Sequence, residues 1–144
     1  MNKISKGREP QAWLEYRKTP GAAFDAIPEL KAALLEEQGH LCAYCMRRIP
    51  AQGETGEQMR VEHVMPRKYT SLVMDYRNLV ACCPGTISGT RRNDVHCDRR
   101  KGEREISFNL FSDAFVATLS YSAATAEYGV PTLPTMLKST NSWG

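Results

Sequence analysis

Three stretches of this chain put chemically capable side chains at telling spacings: CAYC at 42–45, VEHVMPRK at 61–68 and HCDRRK at 96–101. Cys42 and Cys45 are separated by two residues, which lets both thiolates reach one tetrahedral ion from a tight turn. A second half must come from Cys82, Cys83 and Cys97, with thirteen residues between Cys83 and Cys97. His96, beside Cys97, is an alternative fourth ligand in place of a cysteine. A redox pair at Cys42 and Cys45 and cysteines that only fill a core are the competing readings. The redox reading lacks the βαβ surroundings such a pair usually has. Structural zinc is preferred, because a small domain with a thin core gains much of its stability from a metal.

In VEHVMPRK an acid and a histidine stand side by side between β-branched residues. Consecutive side chains of a strand point to opposite faces, so Glu62 and His63 cannot both enter one core, and one of them is expected to be displayed. An imidazole with an ordinary pKa of about 6.5 is partly neutral at working pH and can accept a proton there.

Among the elements that must carry these residues, EPQAWLEYRK reads as a short helix, with Pro10 at its start and Trp13, Leu14 and Tyr16 as apolar anchors. IPELKAALLEEQG is a stronger one: Pro28 starts it, Leu30, Ala33 and Leu34 repeat at helical spacing, and Gly39 is the stop. It delivers the chain to HLCAYC. IPAQGETGEQ is a loop, MRVEHV a strand, DYRNLV a second short strand or turn, PGTISGTRRND a glycine-bearing loop, and HCDRRKGER can open a helix. FSDAFVATLSYSA has the alternation of strands, and the following residues have no clear period. The sequence shows no repeats.

The chain has 144 residues, 42% hydrophobic and 24% charged, with a mean hydropathy of -0.45, which suits one modest domain. No apolar run approaches twenty residues and MNKISKGREP lacks the apolar centre of a secretory signal, so a soluble, cytoplasmic protein with no membrane partner is expected. Five cysteines in that compartment favour metal over disulfides. The net charge is only +3, but residues 60–104 hold ten Lys or Arg against five Asp or Glu, whereas residues 1–59 are balanced at eight each. A central basic excess is the footprint of phosphate binding.

His63, then Asn78 in NL, then Asp98 and Lys101 in CDRRK, interleaved with the cysteines in this order, resemble an HNH nuclease of the ββα-metal type. Glu62 stands where Asp is more common and Asp98 where His or Asn is more common, and a long insertion precedes Cys97. Over about residues 1–121, the combination of KGREPQAWLEYR, LLEEQGHLCAYCMRRI, VEHVMPRK, DYRNLVACCPG and HCDRRKGE is similar to the HNH subunit of Septu-type antiphage defence systems, also found in some retron operons. The resemblance implies an α+β fold, with a small zinc-stabilised HNH core at 40–121 and two helices in a region 1–39 before it; the residues without a clear period at 122–144 are expected to form a poorly ordered or truncated tail. It matches Cys83, the cysteine of CCPG, to the zinc set with Cys42, Cys45 and Cys97, and leaves Cys82 to the core. It also implies an ABC-type ATPase partner and DNA or RNA as substrate.

Chemistry then suggests roles. His63 is the general base and Asn78 orients the imidazole or a metal-bound water. Glu62 and Asp98 are oxygen ligands for Mg²⁺ or another divalent ion. Arg67, Lys68, Arg99, Arg100 and Lys101 are candidate phosphate contacts, which fix register without reading sequence. Zinc on four thiolates would be structural, since no open position is left for water.

Overall fold

A computed structural model of the chain describes residues 3–50, 59–86, 95–118, 120–122 and 127–129. Helix α1 (Gln11–Lys18) follows Pro10, and α2 (Pro28–Glu37) has proline in its first turn, where the absent N–H costs no hydrogen bond. α1 buries Trp13, whose ring stacks on Tyr16 at 5.6 Å and meets the edge of Phe24 at 5.8 Å. α2 buries Leu30 and Leu34, as the helical spacing predicts, together with Leu35, while Ala33, also expected on that face, is only half-buried.

Strand β1 (Arg60–His63) pairs antiparallel with β2 (Leu79–Cys82), His63 opposite Leu79 and Arg60 opposite Cys82. Between them the chain makes two single 3-10 turns, Thr70–Leu72 and Tyr76–Asn78. Helix α3 (Cys97–Lys101) lies beyond 87–94, and α4 (Asp113–Thr118) is followed by the pair β3 (Ser120–Ser122) and β4 (Glu127–Gly129). The described residues therefore form a small α+β fold of four helices and two two-stranded antiparallel sheets. No helix among them is long and apolar enough to cross a membrane.

A two-stranded ribbon is marginal alone, so its stability comes from what covers it. One continuous core runs from Ile4, Trp13 and Leu34 through Leu79, Val80 and Ala81 to Leu110. The N-terminal segment is strapped to it: Lys6 Nζ is 2.6 Å from Glu37 Oε1 and donates to the Leu79 carbonyl at 3.0 Å, while Tyr76 OH donates to Glu37 Oε2 at 2.9 Å. The helical region at 1–39 and the segment carrying the site thus share one interior.

Two expectations change. The alternation in FSDAFVAT predicts strand, but 113–118 is helical: the Val116 amide donates to the Ser112 carbonyl at 3.3 Å, and Phe115 stacks on Phe108 at 4.7 Å. Packing against a nearby aromatic ring outweighs a short alternating pattern. The pair β3 and β4 also crosses the boundary placed between 121 and 122. The tail at 130–144 and the loop at 87–94 lie outside the described residues.

A candidate metal centre beside an acid and histidine cleft

The CAYC turn is built as a small hairpin. Leu41 bridges Arg48, the Cys42 amide donates to the Arg47 carbonyl at 2.9 Å, and the Met46 amide donates back to the Cys42 carbonyl at 3.1 Å. The Ala43 amide donates to the Ala81 carbonyl at 3.0 Å, which docks the hairpin on the free edge of β2. Gln38, at the end of α2, completes that edge. Its Oε1 accepts from the Ala81 amide at 2.7 Å and its Nε2 donates to the Ala81 and Leu41 carbonyls at 2.9 and 2.8 Å.

This seating brings Cys42, Cys45, Cys83 and Cys97 together, with all four Sγ atoms within 4.8 Å of one another. The distances are 3.8 Å for Cys42 to Cys97, 3.8 Å for Cys45 to Cys83 and 3.7 Å for Cys83 to Cys97. Zinc–sulfur bonds of about 2.3 Å at tetrahedral angles give sulfur–sulfur edges of about 3.8 Å. The donor set fits zinc. Crowded sulfurs without a cation tolerate little charge: the Cys83 thiol is pushed up to about 11, chiefly by burial, and Cys97 is raised by its Cys42 neighbour, while Cys42 is lowered by hydrogen bonds from Cys82 and Cys97. Cys82 is fully buried and outside the set. His96 Nδ1 lies 3.0 Å from Cys97 Sγ and 3.9 Å from Cys83 Sγ, beside the cluster.

Two backbone features hold the far half of the cluster. Cys97 has φ of 52°, in the left-handed region. Gly85 has φ of 72°, and a Cβ there would stand 2.7 Å from the His96 carbonyl oxygen. That approach lets the His96 amide donate to the Gly85 carbonyl at 3.0 Å, which ties the Cys83 turn to the start of α3.

Next to the cluster, β1, the turn after it and α3 enclose a cleft of about 530 Å³ lined by Glu62, His63, Arg67, Asp98, Arg99 and Lys101 among others. Glu62 and His63 are 8% and 4% exposed, so neither is displayed as the strand alternation predicts. Both faces of the ribbon are covered. On one, Lys101 Nζ is 2.7 Å from Glu62 Oε1 and donates to the His63 carbonyl at 3.0 Å, and Tyr44 OH donates to Glu62 Oε1 at 3.2 Å. On the other, the His63 ring meets Phe24 edge to face at 4.5 Å.

Arg67 Nε, which can only donate, lies 3.3 Å from His63 Nδ1, and His63 Nε2 lies 3.0 Å from the Val73 carbonyl. Nδ1 is therefore the acceptor nitrogen and Nε2 carries the proton. Burial, more than the Arg67 and Lys101 charges, holds the imidazole below its ordinary pKa, against the Val73 hydrogen bond. Burial likewise raises Glu62 despite Lys101. Asp98 is paired with Arg60.

The Asn78 side chain is turned inward. Its Oδ1 accepts from the Met65 amide at 2.7 Å, and its Nδ2 donates to the Met65 and Leu72 carbonyls at 3.1 Å each. It braces the loop that presents Val73 to His63, and so acts on the imidazole through backbone. Lys101 also points inward. Lys68 pairs with Glu105 at 2.6 Å, Arg99 Nε donates to the Pro84 carbonyl at 2.8 Å, and Arg100 is exposed. Sequence reasoning missed Phe24, Tyr44, Arg60 and Gln38. Only Gln38, a polar residue ending an amphipathic helix, left any signal.

Neither the models of known protein families nor the characterised proteins compared with the chain match it.

Proposed function

We propose that this protein is a metal-dependent endonuclease of the HNH type that hydrolyses phosphodiester bonds in DNA or RNA. What supports this reading above all is the cleft, where the buried His63, the carboxylates of Glu62 and Asp98 and several cations converge from two separate parts of the chain next to four clustered thiols. The resemblance to Septu-type HNH subunits extends it: the protein acts in the cytoplasm in antiphage defence, with an ABC-type ATPase.

Phosphate entering the cleft meets Arg67, with Arg99 and Lys101 adding positive charge from positions held by backbone and Glu62, while the exposed Lys68 and Arg100 lie outside the lining and would contact backbone phosphates beyond it. His63 takes the attacking water's proton at Nδ1 while Nε2–H stays on the Val73 carbonyl, which fixes the ring and steadies the imidazolium that forms. Asn78 keeps that carbonyl in place. Glu62 and Asp98 are the oxygen donors of the class a hard divalent ion takes. A bound Mg²⁺ there would neutralise phosphate charge and stabilise the leaving 3′ oxygen.

One observation favours a second reading. Glu62 and Asp98 are already balanced by Lys101 and Arg60, so a divalent ion must compete with side chains in hand. That suits a zinc-stabilised nucleic-acid-binding or adaptor module with a decayed active site. The experiment is cleavage of supercoiled plasmid and of RNA, with Mg²⁺ and with none, alone and with the ATPase. Mg²⁺-dependent cutting, with Asp98→Ala needing more Mg²⁺ for any residual activity, supports the nuclease. Binding of nucleic acid with no cutting under any of these conditions supports the module.

A further inference from the structure

Arg67 reaches the cleft from an exposed position, and its two neighbours there are parts of the site itself. Its Nε donates to His63 Nδ1 at 3.3 Å, and its guanidinium carbon stands 5.1 Å from the centre of the Phe24 ring, which in turn packs on the His63 imidazole at 4.5 Å. Phe24 comes from the segment between α1 and α2, some forty residues before His63 in the chain. The contact therefore has a built aromatic support, and it covers the one imidazole nitrogen with a free lone pair.

We propose that Arg67 alternates between two partners, His63 Nδ1 in the free protein and a substrate phosphate in the complex, so that binding a phosphodiester itself uncovers the base. This rests on the nuclease reading for its consequence but not for its geometry. A guanidinium forms stronger, charge-assisted hydrogen bonds with a phosphate oxygen than with a neutral imidazole, so the exchange runs toward the phosphate once one is present. Phe24 keeps the guanidinium beside the imidazole when it is absent. Arg67 is thus a positioning residue for His63 besides being a phosphate contact, and it keeps the nucleophile-activating nitrogen covered until a substrate arrives.

The test is nitrogen NMR of His63 in the zinc-loaded full chain, using dimethyl phosphate as a diester probe that holds one negative charge across the titration. In the wild type, added dimethyl phosphate moves the Nδ1 resonance toward that of an unbonded imine nitrogen. In Arg67→Met that resonance starts at the unbonded position and the probe no longer moves it; Arg67→Lys restores part of the response. An Nδ1 signal equal in wild type and Arg67→Met, or a wild-type signal unmoved by the probe, overturns the proposal. Plasmid cleavage without this NMR response removes the latch alone; the response without any cleavage removes the nuclease reading and leaves the latch.

Discussion

At the residue scale, the proposed role of His63 as general base makes a prediction about pH. Its neutral form is the one that accepts a proton, and burial holds its folded pKa below the ordinary 6.5. Cleavage is expected to be full at neutral pH, with the acid limb of kcat/KM centred below 6.5; a midpoint above 6.5 would show that the imidazole is not held as described. The same shift acts on stability. The unfolded chain takes up its proton near 6.5 and the folded one only below that, so His63 makes the protein less stable as pH falls through this window. Arg99 makes a different prediction: it is exposed but holds the Pro84 carbonyl, so Arg99→Ala should flatten the salt dependence of nucleic-acid affinity by about one unit and also loosen the Cys83 turn. A filter-binding series against salt, with zinc content measured alongside, checks both. Sequence spacing made the donor types legible, since cysteines, an imidazole and carboxylates announce their chemistry wherever they stand. It did not show that Lys101 and Asn78 turn inward, because pairing with Glu62 and with the Met65 and Leu72 backbone depends on contacts far along the chain.

At the element scale, short strands are held by side chains that imitate a missing strand. Gln38 makes three hydrogen bonds to Ala81 and Leu41, so Gln38→Leu should lower stability by about 1–3 kcal/mol, the cost of leaving buried backbone groups without partners. A urea or thermal melt of the zinc-loaded variant reads this, and an unchanged midpoint would contradict it. Gly85→Ala is the sharper case. It places a methyl 2.7 Å from the His96 carbonyl at a φ of 72°, so either α3 or the Cys83 turn must move, and zinc affinity should fall with stability. The helices α1 and α2 were readable from proline, apolar spacing and glycine, and β1 from its β-branched residues. Helix α4 was not, because its local alternation gave way to a stack between Phe108 and Phe115 that no period encodes.

At the scale of the whole molecule, the cysteine cluster joins pieces that local structure leaves separate: the hairpin after α2, the end of β2 and the start of α3. Structural zinc on such a cluster would contribute roughly 10 kcal/mol of apparent binding energy, more than a domain of this size has in reserve. Cys42→Ser should therefore unfold the protein, and chelation should do the same, whereas Cys82→Ser, outside the cluster, should keep its zinc. Equal zinc content and equal melting in the two variants would contradict the assignment. The central claim is that His63 does chemistry and Glu62 and Asp98 serve a metal, and the most direct measurement is cleavage by His63→Ala beside its affinity, zinc content and melting. The account predicts a loss of about a hundredfold or more in cleavage, with folding, zinc and nucleic-acid affinity nearly intact. A His63→Ala protein that lost its zinc or melted early, beside an Asp98→Ala protein that cleaved normally, would contradict it.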